Sequence, residues 1–259
     1  MPKSSILAHV HEVINGELGL KKPRSYEQKK ICKLISEDLK SDFNGEVLIR
    51  NIYTQVESNW DQRKYRSKKK IQKNWRWEKN CRLGPKNRSP EVILERSIVR
   101  TTKNDWVNQV PVASGLVGRA DGPRAVDLVH RCDSGWYEFI ELKVGSDTPL
   151  FAAMEILQYG ILYLFSRKRS EDLGYTEKHE YNKESIKMLN APGIHLKVMA
   201  PTTYYDGYNL KWLKEAINTG FDRFMAGRGY KMDFEFESFD LSCSPALIPA
   251  RSPVKWKRA

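Results

Sequence analysis

The chain has 259 residues, 40% of them hydrophobic, and a formal net charge of +12, which suits a folded α/β-sized core and excludes a low-hydrophobicity disordered polymer. The opening stretch is not expected to be a signal peptide, since the apolar run from Ile6 to Val10 is short and carries His9, with His11 and Glu12 following at once. Cys32, Cys81, Cys132 and Cys243 are scattered without paired-ligand spacing, which predicts reduced thiols in a cytoplasmic protein and speaks against a disulfide scaffold or a zinc site.

In chain order, residues 25–42 carry Ile31, Leu34, Ile35 and Leu39 at helical spacing, with Ser25 as an N-cap and Asn44-Gly45 as a stop. The next stretch, EVLIRNIYTQV, fits a strand or a helix. Residues 61–88 then hold twelve Lys or Arg against Asp61 and Glu78, a local net of +10 that leaves only +2 for the rest of the chain. Lys64, Arg66, Lys68, Lys69, Lys70, Lys73 and Arg76, interleaved with Tyr65, Trp75 and Trp77, suit a polyanion: cations for phosphates and rings for stacking. The other reading of this segment is a solvated basic face.

The sequence GPKNRSP reads as a linker, which predicts an N-terminal accessory region 1–88 and a second unit 89–259. Ser89 and Pro90 open a helix. DWVNQVPVAS, RAVDLVHRC and GWYEFIELKV follow as three strands, the last two joined at Asp133-Ser134-Gly135. A long helix from about Thr148 to Arg167 contains the longest apolar run, PLFAAMEILQYGILYLF. Glu155 and Gln158 interrupt it and it falls short of the roughly 20 residues of a membrane span, so a buried helix and no membrane partner are expected. GIHLKVMAP is a fourth strand, NLKWLKEAINTGFDRFM a helix, and YKMDFEFESFDL a final strand at a half-exposed edge. The order predicts a mixed central sheet flanked by helices.

A three-residue hairpin loop with Gly135 left-handed sets Cys132 opposite Trp136 and Asp127 opposite Glu141. A two-residue loop would shift that pairing by one. Strand alternation then turns Glu141 and Lys143 to the same side as Asp127. Opposed carboxylates are unfavourable in a sheet unless a cation lies between them, and two carboxylates beside an ammonium suit Mg²⁺. The chemistry that fits is metal-assisted phosphodiester hydrolysis. The bland reading is a cross-strand Lys–carboxylate bridge, which the apolar neighbours in AVDLV and FIELKV disfavour.

This ordered pattern resembles the PD-(D/E)XK nuclease superfamily, over roughly residues 89–200. The resemblance implies a restriction-endonuclease-like αβββαβ core and Mg²⁺, with Mn²⁺ substituting. Asp127 and Glu141 become metal ligands with the Leu142 carbonyl as a third, and Lys143 the catalytic lysine. Many members carry a glutamate on the first core helix; Glu95 is favoured over Glu91, which also suits the helix N-terminus. Some branches add a residue on the helix after the third strand; Gln158 is the candidate, with helix packing as its other reading. Val126 replaces the family's proline, and Leu162 stands where a QxxxY tyrosine counted from Gln158 should be.

His130 falls on the strand face opposite Asp127 and reads as a packing histidine. GLVGRADG lacks a Walker lysine and reads as a connection that leaves Arg119 and Arg124 near the site. The expected function is a metal-dependent nuclease, with DNA favoured over RNA. The alternatives are an RNA-processing nuclease and a catalytically silent nucleic-acid-binding module. The sequence leaves a homodimer open and names no protein partner.

Overall fold

A computed structural model describes residues 5–20, 26, 28, 30–33, 43–62, 71–84, 89–118, 121–122, 124–175, 183–240 and 257–258. Most of the helix expected over 25–42 lies outside the described residues, as do Lys64, Arg66, Lys68, Lys69, Lys70, Arg119 and Cys243.

Helices α1 (Val10–Glu17), α2 (Gly45–Asp61) and α3 (Pro90–Thr101) precede strands β1 (Trp106–Pro111), β2 (Ala125–Arg131) and β3 (Tyr137–Leu142). Then come α4 (Pro149–Lys168), α5 (Lys183–Leu189), β4 (Gly193–Pro201), α6 (Lys211–Met225), β5 (Lys231–Phe239) and the two-residue β6 (Lys257–Arg258). The sheet is mixed. Strands β1, β2 and β3 are antiparallel neighbours, β3, β4 and β5 run parallel, and β6 lies antiparallel at the edge.

Local chemistry explains the boundaries. The Ser89 hydroxyl accepts from Val92 N ahead of α3, and the Thr148 hydroxyl accepts from Phe151 N ahead of α4, each with proline in the first turn. Asn44-Gly45, expected to stop a helix, instead starts one: Asn44 Oδ1 accepts from Glu46 N and Val47 N, and the ambiguous stretch behind it is α2.

The hairpin register is as the loop predicts. Leu128 pairs with Ile140, Val129 with Phe139, His130 with Glu138 and Arg131 with Tyr137, and one further step sets Asp127 against Glu141. At the turn Cys132 N donates to the Trp136 carbonyl at 2.8 Å. Gly135 adopts φ 80°, where a side chain would be strained. A slip of one residue would turn every side chain of β3 to the other face.

The two faces of the sheet carry separate cores. Beneath α3 lie Leu94, Ile98 and Val99 with Trp106, Leu128, Ile140 and Leu142. The larger core joins Phe139 and Val129 to Leu157 and Ile161 of α4 and to Leu213 and Phe221 of α6. By length and composition α4 could cross a membrane, but 94% of its most apolar window is buried in the protein's own core.

Described residues on both sides of the expected division at residue 88 share one core. Val10 and Ile14 of α1, Leu48, Ile52, Val56 and Trp60 of α2, and Trp75 belong to the same cluster as Phe139 and Leu157. The apolar stripe of α2 is covered by α6 so closely that a Cβ on Gly45 would fall 1.9 Å from the Ala216 carbonyl oxygen. The wholly buried Asp121 fastens the chain start: its carboxylate accepts from Ser5 Oγ (2.6 Å), Ile6 N (2.9 Å), Val117 N (3.0 Å) and Gly118 N (2.9 Å). The glycine-rich stretch therefore serves as an anchored connection.

Candidate active site

Asp127 and Glu141 sit near the ends of two adjacent inner strands, and the strand β3 runs directly into Leu142 and Lys143. Lys143 N donates to the Met199 carbonyl at 2.9 Å, extending the parallel pairing with β4 by one residue and holding the lysine backbone in line. The side chains meet in a cleft of about 230 Å³. It is lined by Glu91, Glu95, Gln109, Asp127, Glu141, Leu142, Lys143, Asp147 and Glu155. Among the described residues Lys143 is the only cation lining it.

The Lys143 ammonium lies 2.8 Å from Glu141 Oε1, 3.3 Å from Glu155 Oε2 and 3.6 Å from Asp147 Oδ2. Asp127 Oδ2 accepts from Leu142 N at 3.0 Å, so one ligand candidate is tied to the backbone beside the other. Glu95, 2% exposed, accepts from the Asn108 and Gln109 amides and lies 3.1 Å from the Arg96 guanidinium. Glu91 accepts from Val144 N at 3.1 Å and Ser146 Oγ at 2.6 Å, fastening the loop after β3 to the start of α3.

Both helix glutamates thus reach the cleft, and Glu95 is the more deeply held, as its position one turn into α3 predicts.

Removal from water dominates the electrostatics. Burial pushes Glu95 up to about 7 and Asp127 up to about 6, against the opposing pull of the Asn108 amide on the first and of Leu142 N and Lys143 on the second. Glu141 is driven well above the ordinary carboxylate range by burial, with Asp127 and Glu155 adding repulsion. Burial works against the Lys143 ammonium too, yet Glu141 and Glu155 outweigh it and hold it protonated. The cleft is short of positive charge. Its donors are all oxygen, the set a hard divalent cation takes, so Asp127, Glu141 and Leu142 fit Mg²⁺ on the chemistry of the donors and on the unmet charge.

Glu155, Gln109 and Asp147, none of them singled out from the sequence, line this cleft, and Gln158 is not among its lining residues. Gln158 is buried away from the cleft, with its amide donating to the Met154 carbonyl one turn back at 2.9 Å; it is a helix-packing residue. Glu155 takes the place given to it: it contacts Lys143 and accepts from Tyr159 OH at 3.2 Å. The four-residue spacing sought from Gln158 exists one turn earlier, between Glu155 and Tyr159, with a carboxylate where an amide was expected.

Gln109 is a further addition. It occupies the β1 position facing Asp127, adopts φ 50°, and donates to Glu95 Oε2 at 2.8 Å and Asp127 Oδ1 at 3.2 Å. A left-handed glutamine in a strand is a strained residue, and here it bridges two carboxylates of the cleft. Sequence offers no sign of the strain, and Pro111, two residues on, fits an edge or a bulge.

The basic segment divides. Of its proposed nucleic-acid contacts, Lys73 is exposed and Arg76 half-buried, 3.3 Å from Glu78. Trp75 is 0% exposed, stacks on Phe139 at 5.7 Å and meets Tyr163 edge-on at 5.7 Å, so it is a core residue and cannot stack on a base. Trp77 lies edge-on to Tyr137 under the Arg131 guanidinium, its indole N–H donating to the Asn104 carbonyl at 3.2 Å. Lys79 caps α3, donating to the carbonyls of Val99 (3.1 Å), Thr102 (3.0 Å) and Lys103 (2.7 Å). Asn80 pairs with the Asn108 side chain, and Arg96 donates to its carbonyl. Residues 74–80 therefore run as a strap over α3 and β1.

Comparison of the chain with protein-family models, with curated proteins and with solved structures finds no match.

Proposed function

We propose that the chain is a metal-dependent nuclease of the PD-(D/E)XK type, hydrolysing phosphodiester bonds in DNA in preference to RNA. One observation carries this reading: the β2–β3 register brings the half-buried Asp127 opposite the buried Glu141, with Lys143 2.8 Å from Glu141 in a single cleft. The succession α3, β1, β2, β3, α4, β4, with antiparallel then parallel pairing, supports a restriction-endonuclease-like core.

Asp127 and Glu141, with the Leu142 carbonyl, would hold Mg²⁺, which would supply polarisation of the scissile phosphate and a more acidic water at neutral pH. The protein's own residues do the rest. Lys143, kept protonated by Glu141 and Glu155, presents a fixed positive charge to the negative charge that develops on the phosphate. Glu155, itself held by Tyr159, fixes where that ammonium points. Glu95 titrates near 7, so at neutral pH it both accepts and returns a proton at the edge of the cleft. Gln109 keeps Glu95 and Asp127 together through one amide group.

The test is incubation of purified protein with linear and circular DNA and with RNA, in Mg²⁺, Mn²⁺, Ca²⁺ or EDTA. Cleavage in Mg²⁺ and Mn²⁺, binding without efficient cleavage in Ca²⁺, and loss of cleavage in EDTA are expected. Metal-independent cleavage, or binding with no cleavage under any condition, overturns the proposal; the second outcome would identify a silent binding module.

A further inference from the structure

The same hairpin that positions Asp127 and Glu141 carries a second group of metal-binding atoms on its other face, towards the turn. His130 and Cys132 are two apart on β2 and its extension, and so share a face. Glu138 is the ladder partner of His130. One ring nitrogen of His130, the Cys132 sulfur and one Glu138 oxygen all lie within 4.8 Å of one another. His130 Nδ1 is 2.8 Å from Glu138 Oε2 and 4.0 Å from Cys132 Sγ. Tetrahedral zinc with nitrogen, oxygen and sulfur ligands separates such atoms by roughly 3.3–3.6 Å, so small rotations of side chains already in place suffice.

The surroundings prepare these groups as ligands. The second ring nitrogen of His130 faces Asp105 Oδ2 at 3.8 Å, and Asp105 Oδ1 is buried without a hydrogen-bond partner. A carboxylate behind the free nitrogen of a metal-binding imidazole fixes its tautomer and raises its basicity. The ring is clamped flat against Trp106, with centroids 4.4 Å apart and planes 17° from parallel. Lys197 donates to the other Glu138 oxygen at 2.6 Å and is itself balanced by Glu237 at 2.8 Å, which orients Oε2 towards His130.

We propose that His130 Nδ1, Cys132 Sγ and Glu138 Oε2 form a zinc site at the tip of the β2–β3 hairpin, with water as the fourth ligand. Ligand character separates the two sites on one hairpin. The cleft is all oxygen and suits a hard ion, whereas sulfur and imidazole select zinc over magnesium. No paired-cysteine spacing announces the site because strand register, rather than a local knuckle, assembles it.

The experiment uses the metal-stripped full-length chain. Titration with Co²⁺ is expected to produce a thiolate-to-metal charge-transfer absorbance that one equivalent of Zn²⁺ abolishes and millimolar Mg²⁺ leaves in place. Cys132→Ser removes the absorbance, His130→Ala and Glu138→Gln weaken Zn²⁺ binding at least about tenfold, and Asp105→Asn weakens it by roughly tenfold. Glu141→Gln leaves it intact, which separates this site from the cleft. Should Cys132→Ser fail to fold, alkylation of wild-type Cys132 read by mass spectrometry decides instead, with Zn²⁺ expected to slow it at least about tenfold. A missing charge-transfer absorbance, its survival in a folded Cys132→Ser protein, or Zn²⁺-indifferent alkylation of Cys132 overturns the site.

Discussion

The cleft and the strap are both rich in charge, yet they handle it in opposite ways. In the cleft, Glu95 and Glu141 are buried and Asp127 half-buried with too little compensation, and each is pushed above its ordinary pKa. In the strap, Lys79 is spent on three helix-terminal carbonyls and Arg76 on Glu78, while Trp75 disappears into the core. Charge left unresolved marks a place where something else binds; charge resolved within the chain marks architecture. Stability and activity should therefore respond in opposite directions to substitutions in the two regions.

The largest effect belongs to the cleft. Glu141→Gln is expected to lower Mg²⁺-dependent cleavage by on the order of 10³-fold or more, while raising the melting temperature in EDTA, because a buried repulsive carboxylate is removed. Single-turnover cleavage and thermal melts of the same preparation check both halves. A destabilised Glu141→Gln protein would erase the contrast with the strap.

Trp75→Ala should do the reverse. Removing a fully buried indole from between Phe139 and Tyr163 costs about 3–5 kcal/mol of stability, measured by urea unfolding. Loss of DNA affinity without loss of stability would return Trp75 to the binding surface.

The pH dependence comes next in size. Glu95 has a folded pKa of about 7 against an ordinary 4.5, so the folded state binds its proton more tightly. Its contribution to stability is complete below pH 4.5 and is lost as pH rises to 7, about 3 kcal/mol at most. In EDTA, the stability difference between wild type and Glu95→Gln should follow this window, and Mg²⁺ should oppose the loss at the upper end. A difference that is flat from pH 4.5 to 7.5 would be the wrong result.

The smallest effect is reserved for Lys73, exposed and outside the strap's hydrogen bonds. Lys73→Ala should change stability by no more than about 0.5 kcal/mol. In Ca²⁺ it should make the slope of log K against log salt for duplex DNA shallower by about 1 unit. An unchanged slope would class this residue with the solvated face.

How far the sequence could be read follows the same division. The β2–β3 hairpin was legible because a turn glycine and strict alternation fix a register, and the register alone places Asp127, Glu141 and Lys143. Ser89-Pro90 announced its helix through capping chemistry, and the long apolar run announced the helix after Thr148. Asn44-Gly45 misled, because an asparagine that caps a helix and one that ends it look alike without a partner in view. Gln158 was the candidate on this helix and Glu155 was not considered, because only tertiary packing tells which residue of a turn faces the cleft. Trp75 failed for a related reason: basic composition says nothing about where an interleaved indole is buried. The twist at Gln109 leaves no trace in composition at all.

The Asp121 clamp carries a consequence for the order in which the chain can assemble. Ser5 and Ile6 close on a carboxylate 116 and 115 residues downstream, and Thr148 reaches back 122 residues to the Tyr26 carbonyl. Both ties join segments far apart along the chain. Contacts this distant in sequence make folding slow, so Ser5 and Ile6 close their bonds only once Asp121 is in place, whereas α1 has a nearer partner in α2, where Asn51 donates to Glu17.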